Sequence, residues 1–439
     1  MAKPMVAIIG RPNVGKSTLF NRLVGERIAI VEDTPGVTRD RIVADAEWTG
    51  HHFMLIDTGG IEPHSQDTIL KQMRLQAQIA MEMADVIVFL VDGREGLLAS
   101  DYDVADMLRK HKAPVLLAVN KLDHIRMEEE KFEFYNLGLG EPIAISAEQG
   151  LGLGDLLDLV VENLDEVYKE QPEEDITKVA VIGKPNVGKS TLINRLIGED
   201  RLIVSDIPGT TRDAVDTDVI YEDKEYIFID TAGLRKKSKI YENIERYSIV
   251  RAIASVERAD VVVLLIDATQ GVTEQDAKIA GISHNRNKPL VIVVNKWDAV
   301  EKDNRTVNEM TKQIRNNISF IDYAPIVFLS ALTGQRVLKL FDEIAFVKTQ
   351  SEKRITTGRL NEALAEFVMM KQPPLKSGRR LKIFYISQVS IKPPTFVIFV
   401  NDAKLMHFSY QRYLHNSIND TFDFYGTPIR ILVRNKKEQ

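Results

Sequence analysis

The sequence predicts an α/β protein of two similar domains, each a mainly parallel β-sheet flanked by helices, with a small α+β module behind them. Three observations lead there. Short apolar runs alternate with amphipathic stretches as far as residue 350, the pattern of a helix-covered parallel sheet. One set of motifs occurs twice in the same order, at an offset of 173 to 175 residues. From residue 353 onward the charge balance reverses, with fifteen Lys and Arg against six Asp and Glu.

In the first copy the runs at 6–9, 53–56, 86–91, 115–119 and 143–145 are rich in β-branched residues and bounded by polar ones, which predicts strands. Runs at 179–182, 226–229, 261–266, 290–294 and 326–329 match them in the second copy. Segments such as 18–24 and 101–110 suit helices. The acidic, proline-bearing stretch 165–177 predicts a linker. The expected organisation is a first domain over 1–164, the linker 165–177, a second domain over 178–350 and a C-terminal module over 353–439. Within that module 358–370 has helical spacing, 381–389 and 396–400 read as strands, 408–418 as a helix and 429–433 as a closing strand.

The length of 439 residues allows about three domains. Hydrophobic residues at 44% and charged residues at 27% are ordinary globular usage, so disorder is not the starting assumption. Without cysteine there is no disulfide framework and no thiolate metal site. No apolar run approaches the roughly 18 residues that cross a bilayer. A signal-peptide pattern is lacking at the start. A cytoplasmic protein with no membrane partner is therefore expected. The net charge of −6 hides an asymmetry, since the residues before the module carry 42 basic against 57 acidic side chains. A basic module on an acidic body suits an anionic partner, nucleic acid being the usual one, with a merely solvated basic surface as the alternative.

The chemistry lies in the repeated motifs. Gly10-Arg11-Pro12-Asn13-Val14-Gly15-Lys16-Ser17-Thr18 follows an apolar strand and opens a helix, the context of a P-loop. Its backbone N–H groups can close around phosphates at a helix N-terminus, Lys16 can reach the terminal phosphates, and the Ser17 hydroxyl can ligate Mg²⁺. Gly183-Lys184-Pro185-Asn186-Val187-Gly188-Lys189-Ser190-Thr191 repeats every part. Asp57-Thr58-Gly59-Gly60 and Asp230-Thr231-Ala232-Gly233 end later strands, where the Asp can hold Mg²⁺ through water while the Gly60 or Gly233 N–H meets the γ-phosphate. Asn120-Lys121-Leu122-Asp123 and Asn295-Lys296-Trp297-Asp298 decide the base. A carboxylate there accepts N1–H and N2–H₂ of guanine in a bidentate pair that adenine cannot supply. Ser146-Ala147 and Ser330-Ala331 complete the base pockets. GTP and GDP are the expected ligands, on two P-loop NTPase domains of the Ras-like type.

This order of motifs resembles the translation-factor class of GTPases over nearly all of residues 3–350. The tandem arrangement with a small basic domain resembles the Der (EngA) family of bacterial ribosome-assembly GTPases. The resemblance implies that Thr38 and Thr211 are switch threonines completing Mg²⁺ coordination. Asn13 and Asn186 stand where potassium-activated relatives ligate K⁺; otherwise they form local turns. The positions after Asp-x-x-Gly are Ile61 and Leu234, which cannot orient water as the Ras-type glutamine does. Lys16, Thr38, Asp57, Gly60, Lys189, Thr211, Asp230 and Gly233 are thus the catalytic set. The resemblance further implies a KH-like C-terminal domain, the large ribosomal subunit and its rRNA as partners, and a monomer. No Gly-x-x-Gly clamp occurs in the module, but Lys376-Ser377-Gly378-Arg379-Arg380-Leu381-Lys382 could contact phosphates. The basic segment Arg235-Lys236-Lys237-Ser238-Lys239 occurs in the second copy alone. It reads as an RNA-facing or domain-facing switch surface, or as a solvated loop. The competing function is an RNA-binding scaffold in which one nucleotide domain only senses its ligand.

Overall fold

The computed structural model describes residues 3–25, 43–60, 69–168, 176–198, 203–204, 216–229, 245–303, 305–376 and 378–436. These fall into two compact units, one within Met1–Glu174 and Lys239–Ala254, the other within Asp175–Ser238 and Ser255–Gln439.

In the first unit six strands form one sheet: β1 (Met5–Ile9), β2 (Val43–Trp48), β3 (His51–Asp57), β4 (Val86–Asp92), β5 (Val115–Asn120) and β6 (Ile143–Ala144). Their spatial order is β2-β3-β1-β4-β5-β6, with every pair parallel except β2 and β3. Every residue of β1 and β4 is buried, as a parallel sheet covered on both faces requires. The helices are α1 (Lys16–Gly25), α2 (Ile69–Met83), α3 (Ala99–Leu108) and α4 (Leu153–Tyr168). Leu19 and Phe20 of α1 join Leu156, Val160 and Leu164 of α4 in the core against Val6, Ile8 and Val88.

Two features depart from the sequence reading. Strand β2 was not expected, because its residues Val43-Ala44-Asp45-Ala46-Glu47-Trp48 mix polar and apolar types on a sheet edge where Ala46 alone is buried. The expected linker is also shorter than 165–177. Helix α4 runs to Tyr168, since its apolar spacing through Leu157, Val161 and Leu164 continues at Val167 and Tyr168, and Thr177 already belongs to a strand. Residues 169–175 lie outside the described residues.

The second unit repeats this architecture. Its strands are β7 (Thr177–Ile182), β8 (Ile203–Val204), β9 (Thr217–Tyr221), β10 (Lys224–Ile229), β11 (Val261–Asp267), β12 (Leu290–Asn295) and β13 (Ile326–Phe328). They lie in the order β13-β12-β11-β7-β10-β9-β8, parallel but for the β8–β9 and β9–β10 pairs. Its helices are α5 (Lys189–Ile197), α7 (Glu274–Asn285), α8 (Thr306–Asn317) and α9 (Lys339–Ser351), while α6 (Glu245–Arg258) is divided between the two units after Ala254. Phe341 of α9 gathers Tyr221, Tyr226 and Phe228 at ring separations of 4.7, 5.0 and 6.0 Å.

Behind this sheet the C-terminal module has the expected α-β-β-α-β order: α10 (Thr357–Met370), β16 (Ile383–Ser390), β17 (Thr395–Val400), α11 (Phe408–Phe422) and β18 (Arg430–Asn435). A hairpin of β14 (Leu375–Lys376) and β15 (Arg379–Arg380) is added within the basic stretch. Leu360, Ala363, Leu364 and Phe367 make one buried face of α10, while Tyr410, Leu414, Ile418 and Phe422 make that of α11. The sheet β16-β17-β18 receives both.

Gly426 fastens the module to the second repeat's sheet. Its carbonyl accepts the N–H of Leu290, the first residue of β12, at 2.9 Å, and its own N–H donates to the Tyr323 carbonyl at 3.0 Å. The φ of Gly426 is +70°, and a Cβ there would lie 2.3 Å from Val347 Cγ2. Gly426→Ala is therefore expected to destabilise the protein by about 1–3 kcal/mol, read in denaturant unfolding, through overpacking and backbone strain.

Candidate functional site

Each nucleotide site starts at the carboxyl end of the central strand, where ligands sit in open parallel sheets. After β1 the chain turns through Gly10–Gly15 into α1, and Lys16 Nζ donates to the carbonyls of Gly10 and Arg11, both at 2.7 Å. After β7, Lys189 Nζ donates to those of Gly183 and Lys184 at 2.7 and 2.8 Å. Each loop thereby encloses its own cation at a helix N-terminus, which is the electrostatic frame for an anion. Ser17 Oγ donates to Asp57 Oδ2 at 2.8 Å, and Asp57 Oδ1 accepts the Gly59 N–H at 2.9 Å. A hydroxyl and a carboxylate brought together in this way are hard oxygen donors of the kind that suits Mg²⁺. Thr58 is tied inward, its Oγ1 donating to the Ile8 carbonyl at 2.7 Å. Asn13 and Asn186 are exposed in left-handed backbone, φ +65° and +62°.

The base-side loops depend on one buried carboxamide per site. Asn120 Nδ2 donates to the Val14 carbonyl at 2.7 Å, and its Oδ1 accepts the Ala147 N–H at 2.9 Å. Asn295 does the same with Val187 and Ala331, at 2.8 and 2.9 Å. Only glycine allows this approach at the end of the P-loop. A Cβ on Gly15 would stand 2.3 Å from Asn120 Nδ2, and one on Gly188 2.3 Å from Asn295 Nδ2. Leu122 and Trp297 point into the core and anchor their loops, Trp297 against Phe328 with ring centroids 4.6 Å apart. Ser146 Oγ donates to Asp123 Oδ1 at 2.6 Å, and Arg94 pairs with Asp123 Oδ2. Arg94, Asp123, His124, Gln149 and Leu151 line a cavity of ≈ 510 Å³.

Several contributing residues, most of them acidic partners of the motif cations, were not singled out from sequence. Asp92 and Asp267 end β4 and β11, in register with Asn120 and Asn295, and hold Lys121 and Lys296 at 2.5 and 2.6 Å. Burial pushes the Asp267 carboxyl up, but hydrogen bonds from Lys296 and Thr269 outweigh it and hold the group below the usual carboxylate range. Arg11 and Lys184, the first variable residues of the two P-loops, are buried cations. Arg11 Nε lies 3.6 Å from Asp101 Oδ1, while a second guanidinium nitrogen pairs with Glu95. Lys184 Nζ lies 3.2 Å from Asp276 Oδ2. Burial raises the Asp101 pKa, against the opposing Leu98 N–H bond and the Arg11 charge. The available signal was an apolar strand ending in Asp, followed by an acidic residue in the next helix's first turn.

Thr38, Ile61, Thr211, Asp230, Thr231, Ala232, Gly233 and Leu234 lie outside the described residues, as does the basic segment 235–239. Thr18 and Thr191 are exposed in the first turns of α1 and α5, Gly60 closes a 3₁₀ turn begun at Thr58, and Asp298 is exposed beside Trp297. Ser190 and Ser330 take the same chain positions as Ser17 and Ser146.

Comparison with known proteins matches residues 5–121 and 178–296 to a family described as 50S ribosome-binding GTPase. Residues 354–434 match the KH-domain-like C-terminal domain of EngA bacterial GTPase enzymes. GTPase Der of Alkaliphilus oremlandii is 60% identical over 436 residues, 99% of both chains. GTPase Der of Agathobacter rectalis is 61% identical over 439 residues, the whole of each chain. No helix among the described residues is long and apolar enough to cross a membrane.

Removing the carboxamide strands two buried backbone groups, so Asn120→Ala and Asn295→Ala are each expected to weaken labelled GDP binding at their own site by about 10- to 100-fold. A pH dependence follows from Lys189, whose pKa burial lowers to about 8, against the raising charge of Asp276. The folded pKa is below the unfolded one, so the cost of the buried charge is present below about pH 8 and is relieved as pH rises past it. If Lys189 is the cation that meets phosphate, its charge is lost over the same interval. GTP affinity at the second site, titrated from pH 7 to 9, is expected to fall.

Proposed function

We propose, from the premise that the chain belongs to the GTPase Der family, that it is a GTP-hydrolysing switch acting in assembly of the large (50S) ribosomal subunit. It binds GTP and is a GTPase. The observation that supports two working sites in one chain is the duplicated enclosure of Lys16 and Lys189 by their P-loop carbonyls, next to the duplicated Asn120 and Asn295 clamps. Phosphoryl transfer needs little covalent help from protein, so positioning and charge compensation carry the catalysis.

On this reading Lys16 and Lys189 turn from loop carbonyls to phosphate oxygens, and the N–H groups of the P-loops and of Gly60 and Gly233 hold the phosphate chain. Asp123 and Asp298 accept the guanine N1–H and N2–H₂, while the Lys121 and Lys296 stems flank the ring. Ser17 with Thr38, and Ser190 with Thr211, hold Mg²⁺, assisted by Asp57 and Asp230. The ion supplies charge neutralisation at the β- and γ-phosphates. Ile61 and Leu234 exclude water-ordering by a Ras-type side chain. We assign Asn13 and Asn186 to K⁺, whose charge substitutes for an arginine finger. The module, with Lys376, Arg379, Arg380 and Lys382 on its basic stretch, contacts rRNA through phosphates. The protein works in the cytoplasm as a monomer.

One experiment tests this. GTP turnover and co-sedimentation with 50S subunits are measured for the parent chain, Lys16→Ala and Lys189→Ala, in Mg²⁺ buffer with KCl or NaCl. Each variant is expected to lose its own site's turnover by about 100-fold or more, to shift the nucleotide dependence of co-sedimentation, and to leave the other site K⁺-dependent. Unchanged turnover in both variants refutes the catalytic reading, and equal rates in the two salts remove K⁺.

A further inference from the structure

The two nucleotide domains share the enclosed P-loop lysine and the buried Asn clamp, but their loops after β4 and β11 differ. After β4 the chain reads Asp92-Gly93-Arg94-Glu95-Gly96, and after β11 it reads Asp267-Ala268-Thr269-Gln270-Gly271. Thr269 turns back on its own strand, its Oγ1 donating to Asp267 Oδ1 at 2.7 Å. The first domain has a long cation in its place. The Arg94 guanidinium reaches Asp123 Oδ2 and lines the same cavity as that carboxylate. Its neighbour Glu95 pairs with Arg11 of the P-loop. The segment 92–96 is thus a charged strap that touches both the base-side and the phosphate-side loops of the first site. Gln270 bonds instead to Asp267 Oδ2, at 3.5 Å.

A bidentate purine needs an outward lone pair on each oxygen of Asp123. Ser146 already occupies part of Oδ1, at 2.6 Å. The guanidinium sits on Oδ2 from the cavity side, where the base edge must arrive. We propose that Arg94 sets the affinity of the first site as a built-in competitor: guanine has to displace it from Asp123, so this site releases guanine nucleotides faster than a site with threonine there. The inference rests on the reading of Asp123 as the guanine acceptor. Arg94 leaves specificity against adenine untouched, since Asp123 itself supplies that. The Arg94 side chain is 58% exposed and that of Asp123 17%, so the pair is a modest barrier and its removal should change affinity by about fivefold.

The test uses the full chain with Lys189→Ala, which confines labelled GDP to the first site. Adding Arg94→Thr is expected to slow GDP dissociation and lower Kd about fivefold, and Arg94→Lys, which keeps the charge but loses the planar fork, should fall between. The reciprocal Thr269→Arg in a Lys16→Ala chain should weaken the second site. Unchanged or weaker GDP binding by Arg94→Thr overturns the inference while the guanine reading stands. If the Lys189→Ala parent binds no GDP and binds ATP equally poorly, the guanine reading of the first site fails, and the inference with it.

Discussion

A buried carboxamide at the end of the fourth parallel strand is the contact on which each nucleotide site depends. Its two ends are used differently, the NH₂ on a P-loop carbonyl and the oxygen on a base-loop amide. Three chain segments that are far apart in sequence therefore share one rigid group. Water cannot substitute, because Asn120 and Asn295 are buried, and in that surrounding an unmade bond costs more than a made one contributes. The strict glycine at the end of each P-loop follows from this contact, as does the register that aligns Asp92 with Asn120 and Asp267 with Asn295.

The electrostatics around this frame are similar in the two copies but not identical. Both P-loops bury a cation at their first variable position, and both pair it with an acidic residue in the first turn of a later helix, α3 after β4 and α7 after β11. The second copy sets its acid in a capping box with Thr273, so that one carboxylate serves helix, hydroxyl and cation together. The first copy lacks the threonine and recruits Glu95. A residue that reads as a variable loop position is in this way a structural brace, which explains how Arg and Lys can both occupy it.

Much of this was legible from sequence because apolar periodicity and short motifs report on burial and on backbone geometry. The central strands, the P-loops and the order of the C-terminal module belong to that class. Edge strands such as β2 escaped, since a strand with one neighbour and one wet face need not look apolar. The reach of α4 to Tyr168 escaped because acidic composition suggested a linker, whereas helical spacing continued beneath it. Contacts such as Arg94 with Asp123 or Arg11 with Asp101 join residues 29 and 90 positions apart. Local pattern can mark a position such as Asp101, but which residue it pairs with is set by tertiary approach.

The attachment at Gly426 gives the second nucleotide domain a mechanical character of its own. The glycine grips the start of β12 and the carbonyl of Tyr323, a short step before β13. Those same strands end in the Asn295 loop and lead to Ser330-Ala331, the two base-side loops. Strand β12 has six residues, all buried, and spans roughly 20 Å. The basic module and the guanine pocket are thus mounted on opposite ends of the same pair of struts. A shift of β12 along its axis would therefore carry both its attachment to Gly426 and the loop that begins at Asn295.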